Sequence, residues 1–570
     1  MSSTRSFLFA ALAIVGFLLW QAWEQDYGPQ APAVAETPAA SADIGKPAVP
    51  TSDVPQAPAG TPQTAAPSQE SAPATPAPAA ALVDVRTDLL HLKIDTLGAA
   101  IVEAELLAYP QDPHDKTRPV KLLDDAPATY FVAQSGLVSG TGAAPDHRAP
   151  FAAEKTSYEL AAGADSVEVP FTWQDASGLK VRKVYIFKRG SYLVDCRVDI
   201  DNAGTAAWSG NEYRQLQRVP PIIPDKGFSF NNPEKYAFAG AAWYSPQDKF
   251  EKLPFDKFSG SPLTREVAGG WVAMLQHYFF AAWIPAAAET DAFSTTLVPN
   301  TTPQRYLIRA MSPAIAVAPG QTRTLESHLY VGPTLQSQTE QIEQANIAHG
   351  LYLTADYGKL TFIAEPLHWI LVKLHGFVGN WGLAIILLVL IIKLAMFKLS
   401  ESQFRSMAKM RRLQPRMEAL KERYGDDRQK LSAATMELYQ KEKVNPFAGC
   451  LPTLIQIPVF FALYYVLLES VELRQAPFFG WIQNLSAPDP YFILPVLYAL
   501  IMGATTWLTP ASPGMDPMQA RMMKIMPLAF AVLFLFFPAG LVLYYVVNGG
   551  LSLLQQWIIT RRAEAADKAR

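Results

Sequence analysis

The chain has 570 residues, half of them hydrophobic and 17% charged, with a formal net charge of −3. That length holds several domains, while two cysteines exclude a disulfide framework. No zinc-ligand spacing, phosphate-cradling glycine loop or GxSxG elbow occurs, so neither a cofactor, a metal nor an enzymatic reaction is expected. Apolar residues concentrate in Phe7–Trp20 and in blocks after Phe362, the distribution of a membrane protein with a soluble insert.

Phe7–Trp20 is an apolar run behind Arg5. The residues after it, Gln21-Ala22-Trp23-Glu24, offer no small-x-small cleavage site, and Trp20 and Trp23 suit an interfacial belt. Residues 1–27 are therefore expected to be an uncleaved anchor with a cytoplasmic N-terminus. Residues 28–81 are expected to be a disordered linker: 12 of the 53 residues in Gly28–Ala80 are Pro and 16 are Ala. Such a segment cannot bury a core, and its expected role is reach alone.

Residues 82–350 are expected to be a soluble domain. His91–Asp95 reads as a strand, and Leu179–Phe187 with Tyr192–Asp201 as a hairpin around Arg189-Gly190. Helical periodicity is scarce before Leu335, so a large all-β sandwich is expected. Gly270–Phe279 reads as one aromatic-rich strand. His277 within it has no acid or nucleophile motif beside it and is expected to be structural. Thr361–His375, with Trp369 and Lys373, reads as an amphipathic helix lying in the interface, within residues 351–379.

Asn380–Ser400 organises the remainder, a five-helix core over residues 380–560. Ten apolar residues, Leu383–Ile392, precede Lys393. If the helix enters the hydrocarbon near Trp381, Lys393 lies about 18 Å deep, where an ammonium costs about 2.5–3.5 kcal/mol. It either snorkels toward the surface near Lys398 or has a role in water. Lys398–Lys443 carries 12 Lys+Arg against 7 Asp+Glu, which marks the cytoplasmic side. Met407, Met410, Leu413, Met417 and Leu420 make one helical stripe. Leu431, Ala434 and Leu438 begin another beyond Tyr424-Gly425-Asp426-Asp427, so residues 400–445 are expected to be a helical hairpin ended by Asn445-Pro446. Its basic face suits solubility, lipid head groups or ribosomal RNA alike.

Phe447–Leu468, Tyr491–Leu508, Met522–Phe537 and Leu541–Ile559 are four further spans. With the anchor and the Lys393 span they make six, with both termini inside and residues 561–570 as a cytoplasmic tail. The uncharged Ile525–Thr560 must hold two spans in 36 residues, which leaves each about 27 Å of helix or less.

The spans contain Lys393, Thr453, Gln456, Thr505, Asn548, Ser552, Gln555 and Gln556, with no mid-membrane Asp or Glu for Lys393. Amides alone could simply bond helix to helix. A permanent cation needs more solvation, which favours a water-filled groove.

The segments NWGLAIILLVLIIK, SMAKMRRLQPRMEALKERYGDD, NPFAGCLPTLIQIPVFFALYYVL, SVELRQAPFFGWIQNLSAPDPYFILP and FPAGLVLYYVVN resemble the YidC membrane protein insertases of Gram-negative bacteria. GWVAMLQHYFFAAWIP resembles the periplasmic domain of that family. The resemblance covers Leu82 to Ile559. It implies a polytopic α-helical membrane protein of six transmembrane helices with a large periplasmic β-sandwich, a cytoplasmic hairpin and a hydrophilic groove open to cytoplasm and lipid. It places the groove cation at Lys393, where the Escherichia-type pattern has arginine. It also implies groove positions at Gln456, Tyr545, Asn548 and Ser552, and an apolar slide that includes Ile457, Pro458, Phe460 and Phe534. The implied location is the bacterial inner membrane. The implied partners are nascent membrane proteins, the Sec translocon, the ribosome and membrane lipids, with no DNA. A secondary transporter or channel is the alternative, and would need inverted repeats and paired ionisable residues that the sequence lacks. A sugar-modifying enzyme would need an acid–base pair near His277, which is also absent.

Overall fold

A computed structural model describes residues 53–56, 81–113, 115–140, 142–221, 237–425, 427–442, 451–508, 525 and 531–568. The expected anchor, the linker between residues 28 and 80 outside residues 53–56, the hairpin end at Asn445-Pro446, the first residues of the 447–468 span and half of the 522–537 span lie outside them.

The described residues between 82 and 333 form two facing sheets of eleven and nine strands. Alternation explains why these segments are strands. In Leu193–Asn202, Cys196, Val198 and Ile200 point inward while Arg197, Asp199 and Asp201 point out. That strand pairs with Leu179–Lys188 through Val194 and Phe187, which is the expected hairpin. Trp283, Tyr185 and Phe171 face the other sheet, while Trp271, Phe280 and Tyr330 lie on the opposite face of their sheet, where the Trp271 indole donates to the His349 carbonyl; all six are almost fully buried. Each such side chain contributes about 1.5–3 kcal/mol by leaving water.

One strand expectation is corrected. Residues 270–279 are not a single strand: Trp271–Gln276 turns at His277-Tyr278 into Phe279–Pro285, with Gln276 opposite Phe279. His277 takes φ +32° in this turn. Burial lowers its pKa to about 4, and its ring stacks on Tyr278 at 3.6 Å, so it is a neutral part of a tight corner.

Nine α-helices follow among the described residues: α1 (Gln336–Gln344), α2 (Thr361–Val378), α3 (Trp381–Ala395), α4 (Phe397–Arg412), α5 (Gln414–Tyr424), α6 (Arg428–Lys441), α7 (Leu451–Glu469), α8 (Ile493–Leu508) and α9 (Ala539–Lys568). Among the described residues no single helix is long and apolar enough to cross a membrane; α3 with the first part of α4 is, but the pair is bent by 64°. The expected straight span 380–400 is thus broken at Met396, in the turn after Lys393. The hairpin arm is also broken, at Leu413, and the close-packed pair is α5 with α6. The last helix continues through the expected tail to Lys568.

Helix α2 buries Ala364, Leu367 and Leu371 and exposes Phe362, Trp369 and Phe377. The α3 N-terminus is capped by Asn380, whose side chain accepts from the Leu383 N–H at 3.0 Å and donates to the Phe478 carbonyl at 3.2 Å. Phe478 lies so close to Gly382 that a Cβ there would meet its ring at 2.0 Å.

The sandwich is seated on this helical part. Arg474 and Gln475 donate to the Pro110 carbonyl at 2.9 and 3.0 Å, and the Tyr278 hydroxyl donates to the Leu468 carbonyl at 3.1 Å. Lys252 pairs with Asp356.

Candidate functional site

Tyr545, Asn548, Ser552 and Gln556 recur along α9 at steps of three and four, so they share one face. Gln456 and Phe460 are likewise one turn apart on α7. The two helices meet in register: Phe460 packs against Tyr545 with ring centroids 5.1 Å apart, and Gln456 Nε2 donates to Asn548 Oδ1 at 3.2 Å. At the far end of the stripe, Lys393 of α3 donates from Nζ to Ser552 Oγ at 2.7 Å. The Ser552 hydroxyl donates to the Asn548 carbonyl at 2.8 Å.

The face is graded. Around Tyr545, Phe534 lies at 4.5 Å and Tyr498 at 5.8 Å, and these two meet edge to face at 4.5 Å. Over about 10 Å of helix the lining passes from aromatic rings through an amide pair to a hydroxyl and an ammonium. Lys393 is buried, and among the described residues no carboxylate lies within ion-pair reach of it. Thr505 bonds back to the Ile501 carbonyl of its own helix at 2.8 Å, which accounts for its polarity locally.

The structure therefore joins Lys393 to Ser552 and Gln456 to Asn548, and sets Tyr545 among Phe460 and Phe534 at the apolar end. Ile457 of α7 is exposed, and Pro458 lies inside that helix. Sequence reasoning missed Tyr498. Its only signal is a tyrosine within an apolar helix, which packing in a soluble core would explain equally well.

Elsewhere, Glu103, Asp124 and Asp125 bring carboxylate oxygens within 4.8 Å of one another. Lys93 and Lys121 already pair with Glu103 at 2.9 and 3.4 Å. In the sandwich core, buried Arg214 bonds Glu212 at 2.6 Å, Asp291 at 3.0 Å and Glu289 at 3.3 Å. Burial pushes the Asp291 carboxyl up to about 7 against the pull of Arg214.

Two family models match: the YidC periplasmic domain over residues 82–370 and the 60Kd inner membrane protein over residues 373–567. A membrane protein insertase YidC of Nitrosococcus oceani is 45% identical, covering 99% of both chains. This chain belongs to the YidC family. The insertase YidC of Xanthomonas campestris pv. campestris is 47% identical over 99% of this chain and 98% of its own. A crystal structure of an active YidC insertase with its first transmembrane domain resolved is 17% identical, covering 83% of this chain and 94% of that one, with a TM-score of 0.35. The two-sheet sandwich falls within the YidC periplasmic match, and the graded stripe lies entirely within the second match.

Proposed function

We infer that this insertase works by presenting the graded face of α9 to an arriving hydrophobic segment. The observation that carries the reading is the ordered change along one stripe, from Tyr545 with Phe460 and Phe534 to Ser552 with Lys393. The polar end gives a client's short hydrophilic tail partners in place of water, which lowers its dehydration cost. The aromatic end, with Ile457 and Pro458, receives the client's apolar span. Exposed Val496, Leu497 and Leu500 on α8, and Leu394 on α3, suit contact with lipid.

In this reading the chain is a multi-pass inner-membrane protein of six spans with both termini cytoplasmic. Residues 1–27 are the anchor, 28–81 the linker, 82–350 the periplasmic sandwich, 351–379 the interfacial helix and 380–560 the five-helix core, with the hairpin 400–445 and the tail 561–570 in the cytoplasm. The basic hairpin is placed to meet the ribosome or lipid head groups, and clients arrive alone or beside the Sec translocon.

The test is translocation of a client's tail carrying zero, one or two acidic residues. An ammonium and a carboxylate 4 Å apart attract by about 1 kcal/mol in water and about 4 kcal/mol at an effective dielectric near 20. Lys393→Arg should work about as well as the native residue. Lys393→Ala should impair acidic tails more than neutral ones, and Lys393→Glu should be worse. If Ala and Glu translocate every tail as well as Lys does, the charged end of the stripe has no mechanistic role.

A further inference from the structure

The outer face of the first sheet is polar and yet covered. Tyr213, Gln215 and Gln217 share that face of Trp208–Arg218, and Gln215 stands beside Gln134 and Arg309 on the neighbouring strands. All are buried. Gln215 donates to Gln134 at 2.9 Å and accepts from Arg309 at 2.8 and 2.9 Å. Among the described residues the amide nitrogen and oxygen of Gln217 are buried without a partner. A buried polar surface of this kind costs free energy unless something bonds to it.

Residues 53–56 lie against this face, although linker composition gives them no reason to dock. The Asp53 carboxylate pairs with Arg148, and its other oxygen lies 3.3 Å from His147 Nε2. The Asp53 carbonyl accepts from Arg309. Behind it, the Tyr213 hydroxyl accepts from the His147 backbone N–H at 2.9 Å and lies 2.7 Å from His147 Nδ1. An ionised carboxylate only accepts, so His147 Nε2–H donates to Asp53. Pro55 is buried and Gln56 is exposed. Both the side chain and the main chain of one residue are thus read, which is how an extended peptide is recognised.

We propose that this face, built from His147, Arg148, Tyr213, Gln215 and Arg309, is a binding site for a short acidic peptide, with residues 53–56 of the linker as its ligand in cis. The site takes an aspartate through both its side chain and its main chain, with the residue two places on turned into the face. It divides the linker at Asp53 into two separately bounded stretches. Asp53 is held at about 2: burial raises its pKa, but His147 and Arg148 outweigh burial. The contact is therefore ionised throughout the neutral range.

The test uses the full-length chain with Cys196 and Cys450 replaced by alanine. Single cysteines are placed at Pro55 or Gln56 and labelled with a membrane-impermeant maleimide. Pro55→Cys should label about tenfold or more slowly than Gln56→Cys, the factor that about 1.4 kcal/mol of docking provides. Asp53→Ala, or Arg148→Ala at the exposed partner, should bring the two rates together. As a second arm, a fluorescent peptide of residues 49–60 should bind the Asp53→Ala chain at least about tenfold more tightly than the parent, whose own segment competes at high effective concentration. Equal labelling at the two positions of the parent chain, or equal peptide binding by the two chains, overturns the proposal.

Discussion

Ser552 is the acceptor that steadies the Lys393 ammonium, and its own hydroxyl donates a hydrogen bond to the Asn548 carbonyl. A hydrogen bond to a charged group contributes about 1.5–3 kcal/mol. Ser552→Ala should therefore lower the unfolding temperature in detergent and weaken insertion of acidic tails, whereas Ser552→Thr should retain both. A second residue-scale prediction concerns the one guanidinium shared by Glu212, Asp291 and Glu289. The folded pKa of Asp291 lies above its ordinary value, so the folded protein holds that proton more tightly than the unfolded chain. The stability this gives is complete below the ordinary carboxylate range and is lost as pH rises through about 7. The sandwich should unfold at a lower temperature at pH 8 than at pH 6, and Asp291→Asn should narrow the difference.

At the scale of elements, the loop over the start of α3 depends on a missing side chain. An alanine at position 382 would drive its Cβ into the Phe478 ring, and overpacking of this kind costs about 1–3 kcal/mol. Gly382→Ala should lower thermal stability measurably while leaving the sandwich strands intact by circular dichroism. The linker gives another prediction. If residues 53–56 are docked, residues 57–80 join two points on one domain, so deleting residues 62–73 should leave insertion unchanged. Legibility in the sequence followed the same physical lines. The hairpin of Leu179–Lys188 and Leu193–Asn202 was readable because alternation and a glycine turn agree. The turn at His277 was not, because the continuous apolar run of two buried strands has no period to interrupt. The bend at Met396 carries no Gly or Pro, and the docking of Asp53 is a tertiary event inside a segment whose composition indicates only extension. The Lys393, Gln456, Asn548 and Ser552 positions were readable as polar residues in apolar helices. Their pairing depends on helix register, which the sequence does not encode locally.

At the scale of the whole molecule, the sandwich and the helical core meet through contacts of uneven character, the Lys252–Asp356 ion pair and a set of hydrogen bonds among them. The core contributes the Arg474 and Gln475 side chains and the Leu468 carbonyl. The sandwich contributes the Pro110 carbonyl and the Tyr278 hydroxyl. All three of these donors end on a peptide oxygen, a group that every residue type supplies. Such hydrogen bonds constrain the path of the backbone more than the identity of the side chains, so the sandwich is free to diverge while its mounting persists. Interchangeability follows. A chimera that joins the sandwich of a relative about half identical in sequence to this helical core should assemble and insert clients, provided Arg474 and Gln475 are kept. Arg474→Ala with Gln475→Ala should instead let the grafted and the native sandwich swing alike, seen as faster amide exchange at the strand end near Pro110.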